Sequence, residues 1–573
     1  MARELAISIG QCSDKGRKES NQDFHGALIP EQPALGAKGI AIALADGISS
    51  SSVSAIAAES AIKSFLTDYY CTSDSWSVKT SAQRVIAATN SWLHSQTRRS
   101  QHPYDKDKGY VCTLSVMVLK SAVAHIFHIG DARIYRVSGN TLEQLTNDHR
   151  VAVSSQQNYL SRALGVNAQV EIDYAMIAIE AGDVFVLATD GVYEHASAAF
   201  VASAIRENAA NLDGAAKKIV REAYKKGSGD NLTVQIVRID GVPQADASDA
   251  GEELAGLPLP PLLEPRQIFD GYRIVRQLHA SSRSHIYLAL DIDTNSSVAL
   301  KIPSIDLRGD PAYLKRFMME EWVARRIDSA HVLKAGAQPR KKNFLYVVTE
   351  FIEGQTLTQW MIDNPKPALE PVRAIVEQIA KGLRAFHRKE MLHQDLRPDN
   401  IMIDRTGTVK IIDFGSTRVA GVAEARPAEG EEILGTAQYT APEYFIGEHG
   451  SVQSDLFSLG VIAYQMLTGK LPYGAGIARA RTKAQMGKLV YDPASGINSD
   501  IPAWVDGALK RAVSLNPHQR YEALSEFLHD LRNPNPSYLR PTPLIERNPL
   551  LFWQALSFAL LVTNFVLLYF ARR

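Results

Sequence analysis

The chain has 573 residues, 45% of them hydrophobic and 22% charged, an ordinary globular composition too long for one core, so two or three domains are expected. Lys plus Arg and Asp plus Glu both number 62, so the formal net charge is zero and no bulk attraction to nucleic acid follows. Three cysteines, Cys12, Cys71 and Cys112, are too few and too odd for a disulfide framework; they suit a reducing compartment and read as buried, small apolar side chains.

In chain order, the opening MARELAISIG reads as polar and strand-like, with no secretory signal expected. The apolar runs GIAIALAD, TLSVMVL, AHIFHIGD and DVFVLATD read as buried strands, several ending in Asp, while Ser52–Tyr69 and Ser81–Thr97 read as helices. Packed sheets covered by helices are expected over residues 1–240. Residues 241–266, rich in Pro, Ala and acids, read as an extended linker with a reach of about 25–31 Å. A second domain follows over 267–532, then a Pro/Asn-rich spacer over 533–549. Residues 550–571 carry no charge; as a helix they would extend roughly 33 Å, enough for a bilayer core of ~30 Å. Trp553 and Tyr569 stand near the ends of that run, flanked by Arg547, Arg572 and Arg573, so one C-terminal transmembrane helix is expected.

Four acidic clusters recur in the first domain: Asn21-Gln22-Asp23, Asp46-Gly47, Thr189-Asp190-Gly191 and Gly229-Asp230-Asn231. One Asp-Gly alone is a turn. Several carboxylates at separate strand ends make a hard-oxygen site suited to Mg²⁺ or Mn²⁺. The set, together with Gly130-Asp131-Ala132-Arg133, resembles the metal-dependent type 2C (PPM) protein phosphatases over nearly all of residues 5–240. The resemblance implies that Asp46 bridges two metals with the Gly47 carbonyl assisting, that Asp190 and Asp230 complete one metal site, and that Asp23 supports the other. It also implies in-line attack on phosphorus by metal-activated water. Lys18, or neighbouring Arg17, stands where that family has its phosphate-binding Arg, Gln22 where Glu is frequent, and Ile48 where some relatives carry a His acid. Asp105 and Asp107 read as a solvated loop before Gly109, with a third metal as the alternative.

The second domain carries Val298-Ala299-Leu300-Lys301, then Glu320 nineteen residues on, in an amphipathic stretch from Leu314 to Ile327. His393-Gln394-Asp395-Leu396-Arg397-Pro398-Asp399-Asn400, Asp413-Phe414-Gly415, Gly435-Thr436, Ala441-Pro442-Glu443, Asp455 and Arg520 follow in order. The series resembles the eukaryotic-like Ser/Thr protein kinases over residues 271–532. The resemblance implies ATP with Mg²⁺ as cofactor. Lys301 would hold the phosphates and pair with Glu320 (Glu321 competes for that role). Asn400 and Asp413 would hold the metal, and Asp395 would orient the substrate hydroxyl and accept its proton. Glu350 and Ile352 would contact the nucleotide, and Glu443 and Arg520 would form a structural ion pair. The glycine-rich loop departs from the family: His279, Ser281 and Ser284 occupy its glycine positions. Their side chains obstruct backbone approach to phosphates, although the serine hydroxyls offer replacement hydrogen bonds. Gln394 replaces the Arg that receives activation-loop phosphate, and no Ser, Thr or Tyr lies between Arg418 and Gly435. Activation is therefore expected not to need loop phosphorylation.

The expected fold is multidomain α+β: a helix-flanked β-sandwich phosphatase, a bilobal kinase, and one membrane helix. The expected function is a bifunctional Ser/Thr kinase and phosphatase acting on proteins, anchored in a bacterial inner membrane with both domains cytoplasmic. An active phosphatase with a pseudokinase sensor domain is the alternative.

Overall fold

The computed structural model describes residues 4–100, 103, 105–154, 157–243, 257–281, 283–304, 310–336, 342–423, 438–480, 482–539 and 549–571. The first domain is built from two five-stranded antiparallel sheets. One has the order β1 (Ala6–Asp14), β12 (Leu232–Gly241), β11 (Val184–Ala188), β6 (Arg133–Ser138), β7 (Thr141–Gln144). The other runs β10 (Asp173–Ala178), β5 (Val123–Ile129), β4 (Leu114–Lys120), β3 (Ile40–Asp46), β2 (Asp23–Leu28).

Strand periodicity explains why these runs lack polar alternation. Ile40, Ile42 and Leu44 of β3 face the inter-sheet core with Met117, Ile126, Phe185 and Val237. The intervening Ala41, Ala43 and Ala45 face outward, yet helices α1 (Ser54–Cys71) and α2 (Val78–Arg99) cover them. Helices α3 (Ala198–Glu207) and α4 (Leu212–Lys225) cover the other sheet in the same way. The central strands of each sheet are buried on both faces, so both sets of their side chains are largely apolar. Between β7 and β10 a two-stranded hairpin, β8 (Arg150–Ser154) with β9 (Gln157–Leu160), carries Arg150. Cys112 is buried, but Cys71 at the last position of α1 is exposed, a correction to the uniform reading of the cysteines.

The second domain has two lobes. Its five-stranded sheet runs β13 (Ile268–Phe269), β14 (Tyr272–Ala280), β15 (Ser284–Asp291), β16 (Ser297–Pro303), β17 (Val347–Glu350), all antiparallel. Helix α5 (Pro311–Arg326) begins where Asp310 accepts the Tyr313 amide and Pro311 takes the first position, a strong start signal. The helical lobe packs α6 (Leu369–His387), α7 (Val452–Thr468), α8 (Ala503–Ala512) and α9 (Leu524–Arg532) around one core. Short ladders complete it: β18 (Gly354–Thr356), β20 (Ile401–Asp404) and β21 (Val409–Ile411) in one, β19 (Met391–Leu392) with β22 (Arg418–Val419) in another.

The segment between the domains is only partly linker-like. Residues 244–256 lie outside the described set, whereas Leu257 and Leu259 pack against the cluster of Phe317, Leu345 and Val347, and Leu263 is buried against the small lobe. The Leu345 amide donates to the Pro258 carbonyl at 3.0 Å. The leucines of LAGLPLPPLLEPR explain this: a Pro-rich stretch stays extended, yet its apolar side chains still gain from burial.

Helix α10 (Pro549–Ala571) spans the expected apolar run, but its side chains beyond Asn564 lie outside the described residues. Among the described residues no helix is long and apolar enough to cross a membrane. Leu550, Phe558, Leu560 and Leu561 are all more than half exposed.

Candidate active sites

In the first domain the strand register brings the acids together. Asp23 and Asp46 are direct cross-strand partners on β2 and β3. Asp131 follows β5, Asp190 opens a one-turn helix after β11, and Asp230 precedes β12. Thr189 donates to one Asp23 oxygen at 3.0 Å, and the other oxygen, Oδ1, is buried with no hydrogen-bond partner. Burial pushes Asp23 up to about 6, against hydrogen bonds from Thr233 and Thr189. Burial, then Asp23, Asp190, Asp131 and Asp230, pushes Asp46 well above the usual carboxylate range. Asp190 is raised to about 7 by burial and by Asp131 and Asp230, with Arg150 opposing. Gly47 is needed for close packing: a Cβ there would stand 2.7 Å from the Ser54 carbonyl oxygen.

Two cations already engage this cluster. Lys18 meets Asp230 at 2.7 Å and donates to Ser49 at 2.5 Å. Arg17 turns instead to the Tyr224 and Gly227 carbonyls. Arg150, which no sequence motif flags, donates to Asp131 at 2.6 Å, Asp190 at 2.9 Å and Glu194 at 2.9 Å. Among the described residues no group of three or more His, Cys, Asp or Glu is arranged to hold a metal as it stands. The donor set itself still fits a hard divalent ion: oxygens only, mutually repelling, one of them buried and unsatisfied. Gln22 uses its amide nitrogen on the Ser51 carbonyl and the Ser54 hydroxyl, a scaffold contact. Arg133 is bidentate on Asp148 and stacks 3.9 Å from the Tyr193 ring, while Tyr193 donates to the Asp131 carbonyl. Asp105 and Asp107 stand on an exposed turn, apart from the cluster's hydrogen bonds.

In the second domain Lys301 of β16 lies 2.5 Å from Glu320 of α5 and 3.8 Å from Asp413. Glu321 turns away to Arg325 and Lys342. Burial would lower the Lys301 ammonium, but Asp413 and Glu320 outweigh it and hold the lysine charged. Burial and Asp413 push Glu320 up to about 7 against the pull of Lys301. Asp413 adopts φ 67° and accepts the Gly415 amide at 3.2 Å. Asn400 donates to the Asp395 carbonyl at 2.9 Å and its carboxylate at 3.2 Å.

Asp455 holds the loop that carries Asp395. Its carboxylate accepts the His393 amide at 3.0 Å, the Gln394 amide at 3.1 Å and His387 Nε2 at 2.9 Å. Gln394, at φ 65°, contacts the Tyr444 hydroxyl. Arg520 forms a buried bidentate pair with Glu443, both bonds 2.8 Å. Thr436 and Gly435 lie outside the described residues.

The β14–β15 turn is self-bonded. Ser281 Oγ accepts the Arg283 and Ser284 amides at 3.3 and 3.1 Å and donates to the Ser284 carbonyl. Glu350 uses its carboxylate on Lys410 and the Lys334 amide, and Ile352 is buried beside it in sequence.

Both halves thus gather acidic residues and cations suited to handling phosphoryl groups. Residues 13–222 match the protein phosphatase 2C family and residues 272–531 the protein kinase domain family; the chain joins a phosphatase domain of the first kind to a kinase domain of the second. It is 28% identical over 279 residues to the serine/threonine-protein kinase PrkC of Bacillus subtilis, covering 47% of this chain and 41% of that protein. It is 31% identical over 263 residues to the serine/threonine-protein kinase PknL of Mycobacterium bovis, covering 45% and 64%. The chain therefore spans less than two thirds of these curated relatives. A serine/threonine phosphatase structure from S. agalactiae is 25% identical, with 41% of this chain and 100% of that one covered at a TM-score of 0.36.

Proposed function

We propose that the chain both phosphorylates and dephosphorylates protein Ser/Thr residues. The observation that carries the kinase half is the Lys301–Glu320–Asp413 triad, 2.5 and 3.8 Å from the lysine, beside Asn400 and Asp395. Lys301 would position the ATP phosphates, and Asp413 and Asn400 would hold Mg²⁺. Asp395, kept in place by Asn400, accepts the proton of the acceptor hydroxyl as the γ-phosphoryl group transfers. In the phosphatase half Asp23, Asp46, Asp190 and Asp230, with the Gly47 carbonyl, would hold Mg²⁺ or Mn²⁺. Bound there, the metals supply charge neutralisation at phosphorus and an activated water. Lys18 binds the phosphate of the phosphoprotein as a point charge.

Transfer of labelled phosphate from ATP by the wild type, absent in Lys301→Met and Asp395→Asn, tests the first half. Hydrolysis of a phosphopeptide, lost in Asp46→Asn and Asp190→Asn, tests the second. The self-bonded Ser281 turn favours one other reading, a phosphatase with a ligand-sensing pseudokinase; phosphate transfer absent from the wild type would select it. The exposed apolar side chains of α10 support a C-terminal membrane anchor, and a need for ATP would put both domains on the inner face of a bacterial membrane. Release of the full chain from membranes by alkaline washing would refute the anchor.

A further inference from the structure

Among the described residues, the two domains meet where residues 74–80 and Lys120 of the phosphatase face Arg326, residues 388–390 and Gly421 of the kinase. Glu390 precedes β19, and its carboxylate accepts the Ser77 amide at 2.7 Å and the Thr80 hydroxyl at 2.5 Å, at the start of phosphatase helix α2. A carboxylate is favoured there by the unpaired amides and the helix dipole. Trp76 donates to the Arg388 carbonyl at 3.0 Å. On the adjoining strand, Gly421 follows β22; its amide donates to the Ser75 carbonyl at 3.0 Å, and its carbonyl accepts the Lys120 ammonium at 2.5 Å. Lys120 is 1% exposed and Ser75 0%, so this contact excludes water.

Gly421 is not among the positive-φ residues, so its backbone would accept a side chain. The surroundings would not: a Cβ there would lie 2.7 Å from the carbonyl oxygens of both Asp74 and Trp76. Glycine is needed at this position for approach between domains. A third contact joins Asp74 to Arg326, at the end of α5, at 3.6 Å, and the interdomain residues Leu257 and Leu259 pack on the cluster that Phe317 of the same helix forms with Leu345 and Val347.

These contacts converge on the elements that carry the kinase site residues. β19 runs directly into His393-Gln394-Asp395, β22 leads back to Asp413-Phe414-Gly415, and α5 carries Glu320. β19 and β22 are one ladder, and the phosphatase domain grips both of its strands at their shared outer end: the Ala420 amide, beside Gly421, donates to the Glu390 carbonyl. We propose that the docked phosphatase domain is a positioning element for the kinase, clasping this ladder and the last turn of α5 so that Asp395, Asp413 and Glu320 stay assembled. The inference rests on the kinase reading above, and it makes the phosphatase domain necessary for full kinase output independently of phosphate removal.

The test uses the full chain with Gly421→Ala, Glu390→Ala and the parent. Expected are faster amide exchange over residues 75–80 and in α5, phosphate transfer lowered roughly tenfold, as loss of hydrogen bonds to a charged group implies, and phosphopeptide hydrolysis within about twofold of the parent. Unchanged exchange in both variants overturns the docking. Faster exchange with unchanged transfer overturns the positioning role, as does equal loss of both activities. If the parent transfers no phosphate, the kinase reading fails by itself; exchange in α5 and the affinity for ATP with Mg²⁺ then decide, and an unchanged value of both overturns the proposal.

Discussion

The Arg150 guanidinium donates to the Asp190 carboxylate at 2.9 Å, in the place where a divalent ion would claim the same oxygens. A cation bound by Asp190 must displace that guanidinium. With the competing pair worth about 1 kcal/mol, Arg150→Met is expected to tighten Mn²⁺ binding by about fivefold. Titration calorimetry on the full chain reads this directly. Weaker binding would show that Arg150 builds the site instead of competing for it.

The raised carboxylates set the pH response of the metal-free phosphatase domain. Asp23 at about 6 and Asp190 at about 7 bind protons more tightly in the folded state than in the unfolded chain, whose carboxylates titrate near 3.9. Stability therefore falls as pH rises through this window and is lowest above it. In EDTA, the phosphatase unfolding transition should be higher at pH 5.5 than at pH 8, with a smaller difference in Asp46→Asn. Because metal and protons compete for the same oxygens, Mn²⁺ affinity should rise with pH. A metal-free domain more stable at pH 8 would mean that burial and the neighbouring acids do not raise these carboxylates.

Ser281 occupies the turn amides that a glycine loop would leave for phosphate. Replacing it with Gly removes the internal acceptor of the Arg283 and Ser284 amides. One freed hydrogen bond of about 1 kcal/mol corresponds to a KM for ATP lowered by about fivefold. A raised KM would show that the serine hydroxyl itself serves the nucleotide.

Breaking the Glu443–Arg520 pair leaves a buried charge without its partner. Arg520→Met is expected to cost about 3–5 kcal/mol, lowering the kinase-domain Tm by roughly 6–20 °C. Glu443→Leu together with Arg520→Met should recover most of this, since an apolar pair leaves no uncompensated charge. Calorimetry that finds the double variant worse than the single one would refute the argument.

Some of the site was legible because its chemistry demands particular residues at short range. A lysine in an apolar strand, an Asp-Phe-Gly turn and aspartates at strand ends identify themselves by local pattern. Other choices depend on helical phase and packing. Glu320 and Glu321 are neighbours with equal chemistry, and only the docking of α5 directs one to Lys301 and the other to Arg325 and Lys342. Lys18 and Arg17 are separated in the same way, by which side of a turn meets Asp230.

By itself the sequence determined the order of the domains, their strand and helix classes, and the candidate phosphoryl chemistry, because hydrophobic period and catalytic spacing are local properties. Only the tertiary structure decided that Arg150 reaches the acid cluster, that Leu257 and Leu259 pack on the cluster of Phe317, Leu345 and Val347, and that Lys120 meets Gly421. The last pair is separated by 301 positions, and a contact across such a distance follows from where two finished surfaces fit, which no local pattern encodes.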